Sequence, residues 1–198
     1  MISYPVIHKN DKDLVRVIYP RFDKGPWIAG GAVLQWYQDK PVGQSDIDVY
    51  FSSKKQMEKL KEKLCGKDSS GFFSIGSTHG PGYVKLETKN AISIEYKGTT
   101  VQLIIARYYD NYDDILNKFD ITVCQLTTDG SEIIGGDNTF SDIKNKVLRF
   151  NFYCPAAVKR LLKYITYGYT PIPGTFDEIA NINNLDENFE ASEADYAL

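Results

Sequence analysis

The 198-residue chain is short of the side chains that soft metals require. Its two histidines, His8 and His79, argue against a multi-histidine zinc or iron centre. Its three cysteines, Cys65, Cys124 and Cys154, are widely spaced, odd in number and form no C-x-x-C. They read as reduced core thiols of a cytoplasmic protein. No run approaches the roughly 18 consecutive apolar residues that crossing a membrane demands. The start, MISYPVIHKNDK, lacks a charged stretch followed by an apolar one and does not read as a secretory signal. Net charge is -3, so there is no global basic field for gripping a long nucleic acid. Internal repeats and low-complexity tracts are absent as well. What is present is a globular composition, 42% hydrophobic and 13% aromatic, too apolar to stay unfolded and of a length for one domain.

The pattern along the chain predicts an α+β fold, a mixed sheet flanked by helices with a short helical tail at the C-terminus. A short helix before Pro20, a turn at Lys24-Gly25-Pro26 and a buried strand Trp27-Ile28-Ala29 lead into Gly30-Gly31. AVLQWYQ reads as a helix closed by Asp39-Lys40-Pro41 and Gly43. Residues 45–51 alternate, with Asp46, Asp48 and Tyr50 on one face and Ile47, Val49 and Phe51 on the other. Ser52-Ser53 caps a helix whose buried stripe is Met57, Leu60 and Leu64. Residues 66–82 read as a loop system with a short strand at Phe72-Phe73. AISIEY and TTVQLIIA form a hairpin about Lys97-Gly98. ITVCQLT and EII form a further pair of strands, and VLRF a last one. From Pro155 the pattern turns helical, with Leu161, Leu162 and Ile165 inward and Lys159, Arg160 and Lys163 outward, followed by FDEIANI and an acidic, frayed end. The division expected is a head over 1–152 and a helical tail over 153–198.

The chemistry concentrates in Gly30-Gly31 and Asp46-Ile47-Asp48. Aspartates at i and i+2 of a strand project side by side, a donor set suited to Mg²⁺, which takes oxygen ligands and keeps waters and phosphate oxygens as the rest. A Gly-Gly turn opening a helix offers backbone N–H groups to an anion with no β-carbon in the way. Asp-x-Asp alone is a common accident and Gly-Gly alone is usually a turn. Their order, followed by a capped helix, is what points to a nucleoside triphosphate.

On these residues the chain resembles a known family. WIAGGAVLQWYQDKPVGQSDIDVYF is similar to the head of polymerase-beta-like nucleotidyltransferases, with a spacer, 32–45, at the long end of their range. KFDITVCQL resembles the Arg-Asp-x-Thr-Ile-Asn-Ala segment of class II tRNA nucleotidyltransferases and bacterial poly(A) polymerases, with Asp120 and Thr122 in register. VLRFNFYCPAAVKRLLKYITYGY is similar to the segment where those enzymes pass from catalytic head to helical neck. The three matches keep their order over roughly residues 25–170, and the chain looks most like the short stand-alone heads of phages and large DNA viruses. The resemblance implies transfer of a nucleoside monophosphate from an NTP to a hydroxyl, an RNA 3′ end or a protein side chain, with release of pyrophosphate. It implies Gly30, Gly31 and Ser45 at the triphosphate, Asp46 and Asp48 as catalytic Mg²⁺ ligands, and host cytoplasm as the location.

Two departures bear on catalysis. Many members carry a third carboxylate on a neighbouring strand, where this chain has Gln102, an amide that can position a water or hydroxyl but is a poor base and weak metal ligand. Glu95 and Asp120 are the alternative acids, read otherwise as a solvent-facing strand residue and a junction residue bonded to backbone. Lys118-Phe119 replaces a basic pair and no Glu-Asp-x-x-Arg helix is present, so CCA addition is not implied and base preference stays open. Lys159, Arg160 and Lys163 read either as a phosphate contact at the cleft rim or as a solvated helix face. Lys24 reads as an idle turn lysine or one that reaches a phosphate, His79 as a surface histidine or part of a loop that covers a substrate, and Cys124 as inert. An inactive nucleotide- or host-protein-binding form of the same fold stands as the alternative function. Oligomeric state is not legible.

Overall fold

A computed structural model of the chain describes residues 2–3, 7–8, 11–42, 45–66 and 81–185. The expected strand at Phe72-Phe73, Gly43, His79 and the acidic end lie outside these residues.

The described strands β1 (Ile2–Ser3), β2 (Trp27–Ala29), β3 (Ile47–Tyr50), β4 (Gly82–Glu87), β5 (Ala91–Tyr96), β6 (Thr99–Ile104), β7 (Leu126–Thr128) and β8 (Glu132–Gly135) form one mixed sheet in the order β1-β8-β7-β2-β3-β6-β5-β4. Its parallel pair is β3 with β6, and the other neighbours run antiparallel. Helices α1 (Lys12–Ile18), α2 (Gly31–Tyr37), α3 (Lys54–Cys65), α4 (Tyr112–Leu116) and α5 (Thr139–Asn145) connect the strands. A small parallel pair, β9 (Val147–Leu148) with β10 (Thr170–Pro171), brackets α6 (Ala157–Thr166), and α7 (Thr175–Leu185) follows. The expected mixed α+β architecture is the one observed.

Local chemistry accounts for most of the boundaries. Ser53 caps α3 by accepting from the Gln56 N–H at 3.3 Å, and Met57, Leu60 and Leu64 bury its inner stripe. The turn between β5 and β6 places Lys97 and Gly98 at φ 50° and 85°, the two positive values of a tight hairpin turn. β3 lies between β2 and β6 with all four residues buried, Ile47 and Val49 completely and Asp48 and Tyr50 nearly so.

Three expectations needed correction. Strand β4 was not predicted; its sequence, GYVKLE, buries Val84 and exposes Lys85, and its pairing with β5 shifts register between Val84 and Leu86. The first half of ITVCQLT is not strand but a 3₁₀ turn over Thr122–Cys124, and β7 begins only at Leu126. Side chains hold that turn. The Thr122 hydroxyl donates to Asp142 at 2.7 Å, Thr139 donates to the Thr122 carbonyl at 2.9 Å, and Gln125 donates to the Leu116 carbonyl at 3.0 Å.

The third correction concerns α6. Leu162 is 58% exposed and Ile165 38%, although both were expected to bury, whereas Arg160, expected to face out, is 8% exposed. The inward stripe is Ala157, Arg160, Leu161 and Tyr164, because the arginine finds a buried carboxylate, Asp120, beneath the helix.

Candidate active site

A cleft of about 520 Å³ opens where the end of β3, the first turn of α2, the segment from Phe119 to Cys124 and the inner face of α6 converge. It is lined by Gly31, Ser45, Asp46, Asp48, Asp120, Lys159, Arg160 and Lys163 among others. Residues from four distant parts of the sequence thus meet on one surface.

Gly30 and Gly31 have different parts in it. Gly30 adopts φ 89°, and a β-carbon there would stand 2.9 Å from the Phe119 ring. Its N–H donates to the Leu126 carbonyl at 2.9 Å, so Gly30 shapes the turn and joins it to the sheet. The expected offer of a Gly30 N–H to phosphate is thereby corrected, since that donor is already engaged. Gly31 begins α2, lines the cleft, and has open space where a β-carbon would lie.

Asp46 and Asp48 flank Ile47 on the same side of β3. Asp48 is 9% exposed, and its Oδ1 is the one buried side-chain oxygen or nitrogen among the described residues that lacks a hydrogen-bond partner. Burial, then the neighbouring Asp46 charge, push its pKa well above the usual carboxylate value. Burial also raises Asp46, against the hydrogen bond from Gln102 and the nearby charges of Lys85 and Lys163, which lower it. A buried anionic oxygen without a donor is expensive, and a hard cation is the ligand that would satisfy it. The pair therefore fits a Mg²⁺ ion. No group of three or more His, Cys, Asp or Glu side chains arranged for a metal occurs among the described residues.

Gln102 stands on β6 opposite Asp48 in the parallel register, and its Nε2 donates to Asp46 Oδ2. Continuing that register sets Thr100 opposite Asp46, and Thr100 pairs in turn with Glu95 on β5. The Thr100 hydroxyl donates to Glu95 Oε2 at 3.3 Å, and Glu95, read from the sequence either as a substitute acid or as a solvent-facing strand residue, is half-buried on β5 and acts on Asp46 electrostatically.

Asp120 is buried and ion-paired with the Arg160 guanidinium, and Cys154 Sγ lies 3.6 Å from its Oδ2. Its backbone carbonyl accepts from the Asn151 N–H. Asp120 is thus an anchor for a cleft-lining cation, a pairing with no local signature in a sequence that offers Asp120 as a substitute acid or a junction residue and Arg160 as a cleft-rim phosphate contact or a solvated charge. Lys159 and Lys163 are exposed at the cleft, and Lys163 acts electrostatically on both aspartates. Lys24 lies elsewhere, on a groove with Lys59 and Lys63. Cys124 lines the cleft, but burial pushes its thiol up to about 11 and it sits 2.7 Å from the Tyr164 hydroxyl, so it stays protonated and unreactive near neutral pH. All three cysteines are free and buried.

Comparison with solved structures places this architecture. The chain superposes on the Thermotoga maritima CCA-adding enzyme complexed with tRNA with a TM-score of 0.63 and 14% identity, over 89% of this chain and 42% of that one. It superposes on the Bacillus stearothermophilus CCA-adding enzyme in complex with CTP with a TM-score of 0.61 and 14% identity, over 90% of this chain and 45% of that one. The fold is therefore that of a nucleotidyltransferase head, and the chain spans less than half of these enzymes. A protein of Bacillus phage SPbetaL7, Gabija anti-defense 2, is 25% identical over 142 residues, covering 71% of this chain and 32% of the relative. Among the described residues, no helix is long and apolar enough to cross a membrane. Residues 6–146 match the sequence profile of that same group, and the chain belongs to the Gabija anti-defense 2 family.

Proposed function

We propose that the protein is a Mg²⁺-dependent nucleotidyltransferase that moves a nucleoside monophosphate from an NTP to a hydroxyl, on an RNA 3′ end or a protein, and that it does so in the cytoplasm of a bacterial host as an anti-defence factor. The observation that carries this reading is the unpartnered, buried Oδ1 of Asp48, which with Asp46 lines a cleft that also holds Lys159, Arg160 and Lys163. Asp46 and Asp48 would hold the ion, which when bound neutralises phosphate charge and polarises the phosphoryl group under attack. Lys159, Arg160 and Lys163 would receive the triphosphate oxygens, a reading supported by their position in the cleft lining and by the Asp120–Arg160 ion pair. Gly31 leaves room for the phosphate chain against the start of α2, with Ser45 adjoining.

In the reaction the acceptor oxygen bonds to the α-phosphorus as the bond to the bridging oxygen breaks. Pyrophosphate leaves with that electron pair, and the hydroxyl proton passes to solvent water. The chain's contribution is alignment of the two reactants and stabilisation of the departing charge by fixed cations.

The Gln102 amide favours a second reading, a nucleotide- or host-protein-binding form that does not turn over. Incubation with each α-labelled NTP and Mg²⁺ in host extract separates the two. Transfer of label to a discrete acceptor by the native chain, and none by the double variant Asp46→Asn, Asp48→Asn, is the expected result. Equal labelling by both proteins would refute the catalytic assignment. Nucleotide binding without labelling would favour the second reading.

A further inference from the structure

We infer that the aspartate pair holds a single divalent ion with its nucleotide, and that the Gln102 amide stands where a second ion would otherwise sit. The inference rests on the nucleotide-handling reading above and specifies its metal count.

Phosphoryl-transfer sites with two ions keep them about 3.5–4 Å apart, one on the leaving side and one on the attacking oxygen. Four positive charges so close together need several anionic side chains to hold them. Here the described residues supply Asp46 and Asp48 and no third acid grouped with them. The side chain facing the pair from the parallel neighbouring strand is neutral: Gln102 is opposite Asp48 by register and bonded to Asp46 Oδ2. A carboxylate only accepts hydrogen bonds, so the amide must turn its NH₂ toward Asp46. That group then claims the Asp46 oxygen a second cation would need, and its partial positive charge faces the direction from which that cation would approach.

Asp48 is in the opposite situation. Its Oδ1 is buried and unpartnered in a residue that lines the cleft, so one ion position stays open while the other is closed by a hydrogen bond. The remaining acids do not reopen it. Glu95 is tied to Thr100 one strand further away, and Asp120 is committed to Arg160.

Counting bound Mn²⁺ by electron paramagnetic resonance tests this, using the full chain and a non-hydrolysable NTP analogue in saturating amounts. One Mn²⁺ per chain is expected for the native protein, two for Gln102→Glu, and none above the level bound by free nucleotide for Asp48→Asn. Two Mn²⁺ on the native protein, or one on Gln102→Glu with its fold intact by circular dichroism, would overturn the inference. No nucleotide-dependent Mn²⁺ on either protein would instead remove the reading on which it rests, so the two failures are told apart.

Discussion

Asp48 carries an electrostatic cost that the fold alone does not offset. In the folded chain its proton is held well above the ordinary value of 3.8, because burial and Asp46 both disfavour the carboxylate. The unfolded chain releases that proton near the ordinary value, so between the two pKa values the folded state binds more protons. Stability of the metal-free protein therefore falls as pH rises from about 4 through the folded pKa, and the penalty is complete above it. Asp48→Asn removes the charge at nearly constant shape. It is expected to stabilise the metal-free protein at neutral pH by about 1–3 kcal/mol, with the gain shrinking toward pH 4. Thermal unfolding across pH in the presence of a chelator measures this, and an unchanged or lowered midpoint at pH 7 would contradict it. The aspartates were legible in the sequence because alternation over seven residues fixes their shared face. The orphaned oxygen was not, since its burial depends on tertiary neighbours, among them Phe119, Cys124 and α6, that line the same cleft from distant parts of the chain.

At the scale of elements, α6 shows how a single buried acid redirects a helix. Aliphatic pattern alone turns Leu162 and Ile165 inward, whereas the Asp120–Arg160 pair turns that stripe partly outward and brings Lys159 and Lys163 to the cleft. Asp120→Ala would remove the carboxylate that faces the buried Arg160 guanidinium, and it is expected to cost about 3–5 kcal/mol in chemical denaturation. Lys163→Ala touches an exposed side chain and is expected to leave stability within about 0.5 kcal/mol of native. The same change should lower NTP affinity several-fold, with the difference from native shrinking at high salt. Equal destabilisation by the two variants would contradict the distinction between anchor and ligand contact. The 3₁₀ turn at Thr122–Cys124 was hidden for a similar reason. Its residues favour strand locally, and the bonds that override them come from Asp142 and Thr139, up to twenty residues downstream.

At the scale of the whole molecule, the sheet order sets the site. β3 lies between β2, which feeds the glycine turn, and β6, which carries Gln102, so the turn, the acids and the amide converge although they span residues 30–102. The mixed fold could be read from element types and from three ordered motif matches. The strand order, the parallel register that sets Gln102 against Asp48, and the strand β4 could not, because register is decided by contacts between segments with no local signature. The whole structure amounts to a scaffold that brings the Asp46–Asp48 pair, the Asp120–Arg160 ion pair and two lysines around one cleft. The most direct test is titration calorimetry of an NTP into the native protein and Asp48→Asn, each with Mg²⁺ and with a chelator. Binding by the native protein in Mg²⁺, lost in chelator and lost in the variant, is the expected result. Binding of equal strength in all four conditions, or in none, would contradict the assignment of the aspartate pair and its cleft as a metal–nucleotide site.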